Sequence, residues 1–330
     1  MRYLLILFSV LIFGLLTQRL PLAAAEERIP VVLSTDVGNE VDDQWAIVYL
    51  LTQPRFDVKG LLSAHAPTLS PPAGRTAYRI LRSVVEEHLN MREHPPLIEG
   101  ASLPLVDTHT PARSPAVEFL LRISKDYAED RRLNVLAIGA STDVASAILR
   151  DPSITRRIRV VAMGFQNWPN GGAEFNIAND VKAMQVVLAS GVPLVLGSGD
   201  VCKKDLSLSL EQARSMVAGR GPVGEWLWTE FEAWYYRHVK PIRVNDFSKP
   251  WVIWDTIVLA HLLNMTTAEE YARPSLRDDM QFEHPATDEK ITWITSVQSQ
   301  RMWPDFLERL DAYQSTHALP PAPAPGRLLP

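Results

Sequence analysis

The chain has 330 residues, 46% of them hydrophobic and 22% charged, with a formal net charge of −5. That length holds one large α/β domain or two smaller ones around a sizeable core, and the acidic balance argues against nucleic acid as the main partner. The lone cysteine, Cys202, excludes an intrachain disulfide.

At the N-terminus Arg2 precedes an apolar run over 3–16, and Ala23-Ala24-Ala25 offers a cleavage site before Glu26. This is the form of a secretory signal peptide. The run is shorter than the ~20 residues a spanning helix needs, and no cysteine follows it to carry a lipid. We therefore expect residues 1–25 to be removed on export, giving a secreted or periplasmic protein with no membrane anchor and with calcium in reach. One α/β domain is expected over 26–318, and the proline-rich stretch 319–330 reads as an extended tail.

The first distinctive stretch is Val31-Val32-Leu33-Ser34-Thr35-Asp36-Val37-Gly38-Asn39-Glu40-Val41-Asp42-Asp43. It begins as a short buried strand, turns at Gly38, and continues as a helix with Val41, Trp45, Val48 and Leu51 on one stripe. Four acids thus crowd the carboxyl end of a strand, where open α/β sheets place their ligands. Like charges so close call for a cation. The plainer alternative is a solvated acidic loop, with Asp42 and Asp43 favouring a helix N-terminus.

Strand-like and helix-like segments then alternate. Strands are expected at 56–63, 96–101, 134–139, 157–163 and 193–197, with helices over 74–89, 115–127, 141–149 and 179–190. Ser141-Thr142-Asp143 supplies capping residues for the third helix. Such alternation means right-handed βαβ units and an open, mainly parallel sheet flanked by helices on both faces. Beyond Ser207 the chain reads as largely helical, with a late hairpin around 280–297.

The acidic turn resembles the Asp-x-Gly-x-Asp-Asp signature of the inosine-uridine-preferring nucleoside hydrolases, with two extra residues before Asp42-Asp43. Further segments resemble that family in order. They are Glu99-Gly100-Ala101 with Pro104-Leu105, then Gly139-Ala140-Ser141-Thr142-Asp143, then Met163-Gly164 with Ala173-Glu174-Phe175-Asn176, and finally Trp254-Asp255. Together they span 31–263, and Ala-Glu-Phe-Asn and the aspartate pair are the most specific. The resemblance implies a Rossmann-like α/β core and hydrolysis of the N-glycosidic bond of ribonucleosides. It implies one Ca²⁺ held by Asp36, Asp43, Asp255 and the main-chain oxygen of Thr142, with a ribose diol and a water completing the shell. Asp36 would be general base toward water activated by the ion, Asp42 would grip a ribose hydroxyl, and Glu174 and Asn176 would hold the others. A small-molecule nucleoside is the implied partner, and a homo-oligomer is compatible with it.

The departures carry information too. The family's sugar-binding asparagine is not placed by the loop between Met163 and Glu174, where Asn167 and Asn170 are candidates. His65 is a candidate for the pocket wall, or merely closes the strand end. Trp254 stands where many members have histidine; its indole can stack on a purine but has no acidic nitrogen to donate a proton. Aromatic residues over 225–236 could form the other wall, although Leu227, Phe231 and Trp234 lie at the helical spacing of core positions. Singly, Asp143 and Asp255 read as helix-start residues and Glu174 as a surface acid. Two rival functions remain open: a calcium-dependent nucleoside- or sugar-binding protein without turnover, and a hydrolase of another ribosyl compound. An aspartate-nucleophile phosphohydrolase ranks last, because Gly38 stands where a second acid belongs.

Overall fold

The computed structural model describes residues 27–238 and 249–317. The expected signal peptide and the proline-rich 319–330 stretch lie outside the described residues. The apolar runs of the first two-thirds form β1 (Ile29–Thr35), β2 (Phe56–Ser63), β3 (Leu97–Ile98), β4 (Leu133–Ile138), β5 (Ile158–Met163) and β6 (Leu194–Gly197). Then follow β7 (Ser207–Leu208), β8 (Trp251–Val252), β9 (Thr266–Ala272), β10 (Ser275–Leu276), β11 (Phe282–Glu283) and β12 (Lys290–Val297).

Eight strands make one sheet in the order β3-β2-β1-β4-β5-β6-β12-β9. All its pairings are parallel except that of the edge strand β9 with β12. The order reverses between β1 and β4, which pair directly from Val31↔Asn134 to Thr35↔Ile138. Crossovers leave that point in both directions, so the loops after β1 and β4 part and open a crevice at the carboxyl ends of the strands.

Burial explains why the strands read as continuous apolar runs. In β4, Leu136 and Ile138 join one hydrophobic cluster, while Leu133, Val135 and Ala137 join the cluster on the other face. Helices Pro115–Ile123, Thr142–Arg150 and Val181–Ala189 pack on that second face. The first face carries helices Asp42–Thr52, Gly221–His238, Thr256–Leu262 and Ser299–Thr316. Helix Asp42–Thr52 is buried from Asp42 to Leu50. Its Trp45 ring stacks on Phe306 at 5.6 Å and meets Trp303 and Phe231 edge-on at 5.9 and 6.1 Å. That packing fixes the helix whose first turn carries Asp42 and Asp43.

The hairpin expected over 280–297 is not formed. β12 lies between β6 and β9, whereas Phe282 pairs with Leu276. The sequence hid β9 because Thr267 to Glu270 are exposed on this sheet edge, so no apolar run marks it. Two glutamates on an edge strand also discourage pairing with another chain. The helix expected over 74–89 begins at Ala73 and its last turn, Val84–His88, widens to a π turn. No helix among the described residues is long and apolar enough to cross a membrane.

Candidate active site

β1 ends at Thr35, so Asp36 enters the crevice as the sheet stops. The turn that follows is closed by the Asn39 amide donating to the Asp36 carbonyl at 3.1 Å, with Gly38 at φ +100° in the region that favours glycine. Thr35 Oγ1 donates to Asp43 Oδ1 and accepts from the Val37 amide at 3.2 Å, which ties strand end to helix start. Asp255 arrives from the other half of the chain as the residue before helix Thr256–Leu262, and its amide donates to Asp42 Oδ2 at 3.3 Å. The β7–β8 pairing and the Ile253 amide on the Leu206 carbonyl at 3.1 Å hold that segment in place.

The carboxylates of Asp42, Asp43 and Asp255 each offer an oxygen within 4.8 Å of the others, and all three residues are buried. With Asp36, Asn39, Glu40, Ile138, Gln166, Glu174, Phe175, Asn176, Trp251 and Trp254 they line a cavity of about 220 Å³. Asp36, Glu40, Asp42, Asp43, Glu174 and Asp255 are acidic, and no Lys, Arg or His lines the cavity among the described residues. A larger groove of about 700 Å³, lined by Gln185, Arg273 and Glu289 among others, lacks any such convergence of acids. Chemistry, not size, marks the site.

Burial without counter-charge shows in the proton affinities. Asp36, Asp43 and Asp255 are raised well above the ordinary carboxylate range, first by burial and then by neighbouring carboxylates. Glu40 and Asp42 are each pushed up to about 8, again by burial first, with Asp42 and Asp43 respectively adding repulsion. Glu174 is pushed up to about 7 by loss of solvent, although its Oε2 accepts from the Asn176 and Ile177 amides at 3.0 and 3.3 Å. Asp36 Oδ2 is buried with no hydrogen-bond partner. An orphaned carboxylate oxygen beside a converging acidic triad is an all-oxygen donor set, which suits a hard divalent cation.

The model of the inosine-uridine preferring nucleoside hydrolases matches residues 31–303. The chain belongs to this family. The pyrimidine-specific ribonucleoside hydrolase RihA of Escherichia coli O7:K1 (strain IAI39 / ExPEC) is 30% identical over 203 residues, covering 53% of this chain and 62% of that protein. The match thus spans less than two thirds of that relative. Among solved structures, the purine-preferring ribonucleoside hydrolase from Gardnerella vaginalis superposes with a TM-score of 0.71 at 18% identity, covering 87% of this chain and 99% of that one. The type III effector protein XopQ complexed with adenosine diphosphate ribose gives 0.62 at 13% identity, covering 88% and 95%. These two share the fold.

Of the residues singled out in the sequence of this nucleoside hydrolase family member, Asp36, Asp42, Asp43, Glu174, Asn176, Trp254 and Asp255 line the one cavity. Asp42 joins Asp43 and Asp255 in the triad. Three residues lie elsewhere. The Thr142 carbonyl accepts from Ser146 Oγ at 2.7 Å inside its helix, and its Oγ1 donates to Asp180 Oδ2 at 2.6 Å. His65 is buried outside the cavity lining with Nε2 2.8 Å from Thr142 Oγ1, and burial lowers its pKa. Asn170 is exposed, its Nδ2 donating to Asn167 Oδ1 at 2.9 Å, while Gln166 lines the cavity instead. Asp143 pins the chain before helix Pro115–Ile123, accepting from the Ala101 amide at 3.1 Å and from Ser114 Oγ. Over 225–236, Leu227 and Phe231 are core, and Trp234 meets Trp251 of the cavity lining edge-on at 5.8 Å.

Sequence reading missed Asn39, Glu40, Ile138, Gln166, Phe175 and Trp251 as site residues. For Glu40 the signal was present: it is the acid within the two extra residues of the turn. For Trp251 it was the spacing to Trp254, which places two indoles on one short segment.

Proposed function

We propose that this chain hydrolyses the N-glycosidic bond of ribonucleosides, with purine nucleosides preferred and calcium as its cation. The carrying observation is the gathering of Asp36, Asp42, Asp43 and Asp255, from both halves of the chain, in one cavity without a basic side chain among the described residues. Asp42, Asp43 and Asp255, with the free Oδ2 of Asp36, would hold the ion. A hard divalent cation supplies charge neutralisation for these acids and Lewis acidity toward water and sugar hydroxyls. Calcium fits best, because it tolerates irregular shells of many carboxylate oxygens.

Cleavage builds positive charge on the ribosyl ring, and a cavity walled by carboxylates stabilises that charge as it develops. Asp36 would take the proton of the attacking water, its carboxylate shared between that water and the ion. Glu174 and Asn176 line the same cavity. Asn176 Nδ2 donates to the Met163 carbonyl at 3.3 Å and Glu174 Oε2 accepts from the Asn176 and Ile177 amides at 3.0 and 3.3 Å, which hold both residues at the cavity, where they would bind ribose hydroxyls. Holding the sugar at several hydroxyls turns binding energy into orientation.

The purine preference rests on Trp251 and Trp254, two indoles on one side of the cavity. We further propose export, on the strength of Arg2, the apolar run and Ala23-Ala24-Ala25; the N-terminal sequence of the mature protein tests it. For the activity, a panel of purine and pyrimidine nucleosides is assayed for released reducing sugar, with calcium and with chelator. Calcium-dependent ribose release, fastest for purines, is expected. Nucleoside binding without ribose release would leave a binding protein, and equal turnover under chelation would remove the cation from the mechanism.

A further inference from the structure

Glu40 belongs to the insertion in the aspartate turn, and its bonding differs from that of the other acids. Its Oε1 accepts from Nε1 of Trp251 at 2.7 Å and from Nε1 of Trp254 at 3.0 Å. Oε2 makes no hydrogen bond among the described residues. Two indoles separated from Glu40 by more than 200 positions of sequence are thus fixed on a single oxygen atom. The Asp255 amide on Asp42 Oδ2 ties the same two stretches a third time. From behind, Trp251 is met edge-on by Trp234 at 5.8 Å, and Trp234 stacks on His238 at 3.6 Å.

An aromatic side chain that must be ordered when ligand arrives loses rotamer freedom at that moment; one already bonded and backed does not. Resting on the nucleoside reading above, we propose that Glu40 is a positioning residue. It fixes Trp251 and Trp254 as a preset aromatic wall on which the nucleobase stacks. Stacking of a base on an aromatic ring is worth about five- to hundredfold in affinity, so a wall set loose should lose a measurable part of that.

The test compares E40A, which leaves both indole N–H groups without their acceptor, with E40Q, which keeps an Oε1 able to accept from both. KM for purine nucleosides should rise about tenfold in E40A with a smaller change in kcat, and E40Q should recover most of the loss. Ribose alone, used as a competitive inhibitor, has no base to stack, and its inhibition constant should be the same in wild type and E40A. Equal weakening of ribose and nucleoside would show that Glu40 acts on the sugar site and overturn the proposal, as would an unchanged KM in E40A.

If wild type releases no ribose from any nucleoside, it is the hydrolase reading that has failed. The wall is then tested by calorimetric titration of free purine base: about tenfold weaker binding to E40A supports it, equal binding overturns it. Should E40A not fold, W251F and W254F keep the rings and remove the donors. They should raise KM for nucleosides and leave ribose inhibition alone, and an unchanged KM in both would refute the clamp.

Discussion

Raising the pH should destabilise the ion-free protein, and calcium should cancel the effect. Glu40 and Asp42 each take up a proton with a pKa of about 8 in the folded chain, against roughly 4 when unfolded. Between those values the folded state holds protons that the unfolded state has released, so stability falls as pH rises toward 8. His65, His88 and His261 are lowered by burial and run the other way. Their gain accrues as pH passes the unfolded histidine value of about 6.5 and is nearly complete by pH 7. The window from pH 7 to 8 therefore isolates the carboxylates.

One retained proton gives a slope of about 1.4 kcal/mol per pH unit, and the cluster holding one to two of them loses about 1.4 to 2.7 kcal/mol across the window. For a chain of this size that lowers Tm by roughly 3–6 °C. Calcium bound as proposed would compete with those protons for the same oxygens. At a hundredfold over its Kd it adds about 2.7 kcal/mol, and the gain should be larger at pH 8 than at pH 7. The assay is a thermal melt at pH 7, 7.5 and 8, with chelator and with calcium. A chelated Tm that is flat or rising over this window would refute the account of buried, unpaired carboxylates. So would a calcium shift of equal size at both ends.

D36N should lower kcat by about 10²–10⁴-fold while nucleoside KM changes little, measured by ribose release; comparable loss in KM alone would make Asp36 a binding residue. A Cβ on Gly139 would sit 2.9 Å from the Asp36 nitrogen and 3.0 Å from its Oδ1. G139A should therefore displace Asp36, costing about 1–3 kcal/mol of stability and lowering kcat more than tenfold (about 1.4 kcal/mol of barrier), read by melts and kinetics together. Nucleoside 5′-monophosphates should bind about a hundredfold more weakly than nucleosides, because like-charge juxtaposition costs several kcal/mol and the described cavity wall holds acids and no base; competition assays against a nucleoside measure it.

Much of this architecture was legible because parallel strands are buried on both faces and so appear as uninterrupted apolar runs. Val31 to Leu33 and Val135 to Ile138 are such runs, and their pairing puts the switch point of the sheet at Asp36. β9 was not legible for the opposite reason: an exposed edge strand needs no apolar face, and Glu269 and Glu270 disguise it. In the site, Asp36, Asp42, Asp43 and Asp255 were recognisable from local motifs. Glu40 was visible only as one more acid of the turn, since its role depends on partners that lie across the fold at Trp251 and Trp254. Thr142, His65 and Asn170 mark the reverse limit. A motif fixes a position along the chain, whereas packing decides which residues line the cavity, and these three are not among them.

The variant spacing of the aspartate turn is tolerated because both of its ends are anchored independently. Asp36 is fixed by the ladders that pair β1 with β2 and β4 on either side. Asp42 and Asp43 are fixed by the helix whose Trp45 is locked among Phe231, Trp303 and Phe306. Neither anchor can slide to absorb extra residues, so the additional length must leave the line between them as a loop, and Gly38 supplies the turn that lets it do so. A loop bulging there has the cavity on one side and the Trp251–Asp255 segment within reach. An acid at its tip is then stable only if it finds donors, since burial raises its pKa. The two indole N–H groups are those donors, so the same insertion that departs from the family signature is bonded to two aromatic residues of the cavity lining.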